Sequence, residues 1–134
     1  MLRIGYLPSD YNPMLLMLGE AEDLRLLAAV LRRFARDPSD LCMNQLGFCA
    51  VSGTQVTLTA SSGAPGIEVL PQAGAFLWRL DAERADEFAD QIDGLAQPAR
   101  LAGSEMLECT TGEEIPVKVS RGEYTDDFLR EAAA

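Results

Sequence analysis

Residues 20–36 read EAEDLRLLAAVLRRFAR, and residues 81–97 read DAERADEFADQIDGLAQ. In the first stretch Leu24, Leu27, Ala28, Leu31, Phe34 and Ala35 recur at steps of three and four. That spacing predicts one apolar stripe on a helix over about residues 20–36. Acids at Glu20, Glu22 and Asp23 and bases at Arg32, Arg33 and Arg36 complement its dipole, and Asp37-Pro38 stops it. In the second stretch Ala85, Phe88, Ala89, Ile92, Leu95 and Ala96 make the same stripe over about residues 82–96, with Asp81 placed to cap it. A shift of 61 carries one stripe onto the other, position by position.

Working outward, the same shift places Leu16 on Leu77, Leu46 on Leu107, Val56 on Val117 and Leu58 on Val119. Upstream, a shift of 63 matches Ile4, Leu7 and Pro8 with Ile67, Leu70 and Pro71. Each half reads strand, strand, helix, strand, strand. The expected strands are 2–7, 14–18, 46–51 and 55–60 in the first half, and 66–70, 75–80, 105–109 and 115–120 in the second. Ser52-Gly53-Thr54 and Thr111-Gly112 read as turns, and residues 61–65 as the linker between copies. Gly122 to Arg130 holds Thr125 ahead of Asp126 and Asp127, the start of a short helix over about 124–131. One strand-strand-helix-strand-strand unit is too small to bury its own sheet face. The expectation is therefore one α+β domain over residues 1–134, with pseudo-repeats at about 2–60 and 66–121. Its sheet would be mainly antiparallel, with the helices on one face and Phe34, Phe76, Trp78 and Phe88 in or beside the core.

At 134 residues and 48% apolar, the chain has material for one core, and no apolar run approaches the ~20 residues that cross a bilayer. Eleven basic against twenty-one acidic side chains give a formal charge of −10. That balance opposes nucleic acid and anionic membrane as partners, because both need a basic footprint. The charge is uneven: residues 1–65 carry −1 and residues 66–134 carry −9. Cys42, Cys49 and Cys109 form no CxxC pair, and no basic-then-apolar signal opens the sequence. The cysteines therefore read as reduced thiols of a cytoplasmic protein, with Cys42 and Cys49 in the core.

There is no histidine, which removes His-based triads and most zinc catalysis. The carboxylate pairs Glu105/Glu108, Glu113/Glu114 and Asp126/Asp127 read as solvated surface acids, and no calcium-loop pattern is present. Lys118, the only lysine, sits in an alternating segment that points it toward water. The expectation is no enzyme, no catalytic residue, no metal and no cofactor. What does stand out is the polar side of the second helix: Glu83, Asp86, Glu87, Asp90 and Asp93, offset only by Arg84. Asp90 and Asp93 lie where the helix dipole disfavours anions, and neighbours three and four apart repel. Either Arg25, Arg32 and Arg36 of the first helix face Glu83, Asp86 and Asp90, or the acids form a docking face for a basic protein. Glu113, Glu114, Glu123, Tyr124, Asp126 and Asp127 would extend such a face.

The segment Glu114-Ile115-Pro116-Val117-Lys118-Val119-Ser120-Arg121-Gly122-Glu123-Tyr124-Thr125-Asp126-Asp127-Phe128-Leu129 resembles the C-terminal signature of small bacterial proteins without assigned activity. The short acidic α+β make-up is similar to immunity proteins of bacterial toxin systems, which bind and block a cognate toxin. This resemblance implies a non-catalytic inhibitor or adaptor with a basic protein partner. The competing expectations are a small-ligand protein or enzyme with its site between the two halves, and a homo-oligomer.

Overall fold

The computed structural model describes residues 1–8, 13–50, 52–61, 63–109 and 115–122. The first half contributes β1 (Arg3–Leu7), β2 (Met14–Leu18), α1 (Ala21–Arg36), β3 (Leu41–Cys42), a single 3-10 turn (Met43–Gln45) and β4 (Gln55–Ala60). The second contributes β5 (Gly66–Val69), β6 (Ala75–Leu80), α2 (Ala82–Leu95), β7 (Gly103–Leu107) and β8 (Val117–Arg121). The fold is α+β, with two helices packed against two mixed four-stranded sheets among the described residues. Neither helix is long and apolar enough to cross a membrane.

Strand order is β1-β2-β8-β7 in one sheet and β3-β4-β6-β5 in the other. Neighbours within a hairpin run antiparallel, while the two hairpins of a sheet meet through parallel central pairs, β2 with β8 and β4 with β6. Each sheet therefore combines the hairpin before the helix of one half with the hairpin after the helix of the other. The central registers repeat under the 61-residue shift: Leu15 faces Val117 and Met17 faces Val119, as Phe76 faces Val56 and Trp78 faces Leu58. The outer strand β1 maps onto β5 by the 63-residue shift, since Ile4 opposes Met17 as Ile67 opposes Trp78.

One continuous apolar cluster draws on both halves, including Leu24, Leu27, Leu31 and Phe34 of α1 and Phe88, Ile92 and Leu95 of α2. Trp78 stacks on Phe88 with ring centroids 6.0 Å apart, and Tyr6 meets Phe76 at 5.0 Å. Burial of each such large apolar side chain contributes about 1.5–3 kcal/mol. The alternating burial of β6 follows its alternating sequence, with Phe76, Trp78 and Leu80 inward. In β2, by contrast, Leu15 to Leu18 are all buried, so that strand is covered on both faces. Lys118, expected to point into water, is half-buried and shares a sheet face with Leu16 and the buried Ser120.

The expected strand at residues 46–51 is corrected. The third strand is β3, Leu41–Cys42, and it stops there because a side chain takes over its role. Asn44 donates from Nδ2 to Thr54 O at 2.8 Å and accepts at Oδ1 from Val56 N at 2.9 Å. Those two bonds occupy the β4 backbone groups that a longer strand would use. The chain then turns, with Leu46 N donating to Met43 O and Cys49 N to Leu46 O. Phe48 and Ala50 instead bracket Leu2 through bonds of 2.7 and 2.8 Å, around an isolated Leu2–Cys49 bridge. The expected matching of Leu46 with Leu107 falls with it. In the ladder register the place of Leu107 belongs to Met43, which is equally buried. The expected turn at Thr111-Gly112 and helix at 124–131 lie outside the described residues.

Candidate functional site

α2 is fixed by its inner side. Ala85, Phe88, Ala89, Ile92 and Leu95 are buried, and Asp81 Oδ1 caps the start by accepting from Arg84 N at 2.7 Å. This anchoring turns Glu83, Asp86, Glu87 and Asp90 outward, all exposed, with Asp93 half-buried at the flank. Five of the eleven expected docking residues thus lie on one helix. Glu113, Glu114, Glu123, Tyr124, Asp126 and Asp127 lie outside the described residues.

Three of the five acids have cations. Arg32 of α1 reaches across to Asp90 at 2.8 Å and also pairs with Asp93. The hydrogen bond to Asp90, then that to Asp93, holds the Arg32 guanidinium more firmly protonated than usual. Glu87 pairs with Arg84 on its own helix at 3.2 Å. Glu83 and Asp86 have no ion pair or side-chain hydrogen bond among the described residues.

The expected internal pairing of Arg25, Arg32 and Arg36 with Glu83, Asp86 and Asp90 is therefore met only by Arg32 with Asp90, and Asp93 joins that pair. Arg36 makes no such contact. Arg25 serves a different purpose, donating from Nη2 to Ala96 O at 3.2 Å. Arg121 Nη1 donates to Leu95 O at 3.2 Å, to Gln97 O at 3.1 Å and to Arg100 O. No base stands in the last turn of α2 itself. Arginines from α1 and β8 satisfy its terminal carbonyls instead, and they offset the dipole penalty on Asp90 and Asp93. Sequence reasoning missed this pair because both arginines lie far from residue 95 along the chain.

A second feature lies on the opposite flank of α1. A groove of about 400 Å³ opens between α1 and residues 37–48. Its floor is Val30, Phe34, Leu41, Leu46 and Phe48, and Arg33, Asp37, Ser39 and Asp40 stand among the residues around it. It belongs wholly to the first half, not to the seam between halves where a ligand site was expected. The cysteines supply no nucleophile there. Cys49 is buried, and desolvation pushes its thiol up to about 11. Cys109 is also buried and Cys42 half-buried, and all three are free thiols. No group of three potential metal-ligating side chains occurs among the described residues. No protein-family model, curated protein or solved structure matches the chain.

Proposed function

We propose that this is a non-catalytic, cytoplasmic binding protein, immunity-like in character, whose second-half carboxylates dock a basic protein. The observation that carries the reading is the pair Glu83 and Asp86, exposed and without a cation of their own among the described residues, on a helix whose other acids are tied. Among the described residues, the six acids from Asp81 to Asp93 meet only Arg84 and Arg32 along this surface. The surplus creates a negative field that steers a basic partner and sets its register. Arg32 acts as a strut: it fixes Asp90 and Asp93 in place and leaves the first turns of α2 as the contact centre. Glu113, Glu114, Glu123, Tyr124, Asp126 and Asp127, which lie outside the described residues, are proposed as further contacts for the same partner.

The test is capture from extracts of the native cell by the immobilised chain, compared with its Glu83→Lys/Asp86→Lys variant. The wild type should retain a basic protein that raised salt releases, and the variant should lose it while melting as cooperatively as the parent. Equal capture by both forms would remove the acidic helix from the function.

A further inference from the structure

The groove beside α1 marks where the first half departs from the second. Under the 61-residue shift, Leu26, Ala29 and Val30 correspond to Glu87, Asp90 and Gln91. In the second half Gln91 Nε2 donates to Met106 O at 3.3 Å and fastens α2 to β7. Val30 has no polar atom to offer, and β3 is only two residues long, so the corresponding space stays open. Leu26 is 41% exposed at its lip and Ala29 is exposed beside it, positions where α2 carries charge. Apolar side chains there add nothing to the core and widen the apolar arc of α1 toward the groove.

We propose that this groove binds a short apolar peptide in its zwitterionic form, about two residues long, by its two charged ends and its side chains. A volume of about 400 Å³ lies within the range of small-ligand sites. The rim carries both signs. Arg33 is exposed and has no ion pair among the described residues, so its guanidinium is available to a carboxylate. Asp37, the residue that caps the end of α1, is exposed on the same rim and offers a carboxylate to an ammonium group. Asp40 is already engaged, accepting from Thr59 Oγ1 at 2.7 Å. A fatty-acid anion would meet Asp37 and Asp40, and an alkylamine would meet Arg33. Only a ligand with both charges meets a partner at each end. Its apolar side chains would lie on Phe34, Leu41, Leu46 and Phe48.

Calorimetric titration of the full chain with L-leucyl-L-phenylalanine, its N-acetyl form and its C-terminal amide tests this. The free dipeptide should bind one per chain, at least about tenfold tighter than either masked form. Arg33→Gln should erase the preference over the amide and keep the preference over the acetylated form. Ala29→Trp, at an exposed helical position, should fill the groove and abolish binding without changing the circular dichroism spectrum or melting. Absence of saturable binding at millimolar dipeptide, equal affinity for the three forms, tighter binding of decanoate, or undiminished binding in Ala29→Trp would each overturn the proposal.

Discussion

Gly74 sits at φ +78°, and a β-carbon there would strike the carbonyl oxygen of Gly53. Its own carbonyl accepts from Gln55 N at 2.7 Å, so the turn before β6 and the turn before β4 are pressed together at this residue. Gly74→Ala should cost about 1–3 kcal/mol through the left-handed backbone and the collision, read as a lowered urea midpoint. A loss under a few tenths would show that the turns separate freely. Cys49 makes a separate prediction from its pKa. Its thiol is raised from an ordinary value near 9 to about 11, chiefly by burial and next by the nearby Asp23 charge. The unfolded chain therefore loses this proton first, and the stabilisation, complete below about pH 9, drains away as pH climbs toward 11. Denaturation midpoints should fall over that interval by more in the wild type than in Cys49→Ala, and equal slopes would dismiss the cause. At neutral pH the same thiol should resist alkylation until the chain unfolds.

At the scale of elements, α1 and α2 differ in where their terminal charges come from. α1 carries Arg33 and Arg36 in its own last turn, and its capping box pairs Glu20 with Asp23. α2 borrows Arg25 and Arg121. Arg121→Ala removes the donor shared by three carbonyls and should cost about 1–3 kcal/mol, with early loss of amide protection confined to residues 92–101. Uniform loss of protection would show that Arg121 does not act on that helix end. Arg32→Ala should matter less, within about 1 kcal/mol, because its pairs with Asp90 and Asp93 are largely solvent-screened. This contrast also explains what was legible. Helix limits and seven of the eight strands, with β7 set two residues earlier than expected, follow from local periodicity and caps, which are written within a few residues of each other. The short β3 is set instead by Asn44 bonding to Thr54 and Val56, ten and twelve residues away, and apolar alternation over residues 46–51 carries no mark of that. The acids of α2 were legible as a charge pattern. Their sorting into paired and unpaired members needed the distance between helices.

For the whole molecule, the decisive property is that neither half owns a complete sheet. Alternation in β2, β4, β6 and β8 tells which side chains face inward but not which strand lies alongside, so the exchange of hairpins between halves stayed hidden in the sequence. The exchange has a consequence for folding. Residues 1–61 alone would present β2 without β8 and β4 without β6, two unpaired edges along strands bearing Leu15, Met17, Val56 and Leu58. Exposed edges of that kind are unstable in a monomer and recruit further strands. The repeated register supplies a ready solution, because β2 of one copy has the pairing geometry of β6 and can accept β4 of another. A polypeptide of residues 1–61 should therefore never sediment as a folded monomer. It should be unfolded when dilute or dimeric when concentrated, and mixing it with residues 63–134 should restore one cooperative transition near that of the intact chain. A stably folded monomer of residues 1–61 would mean that β1 to β4 close on themselves, and that the parallel central pairs are not what joins the halves.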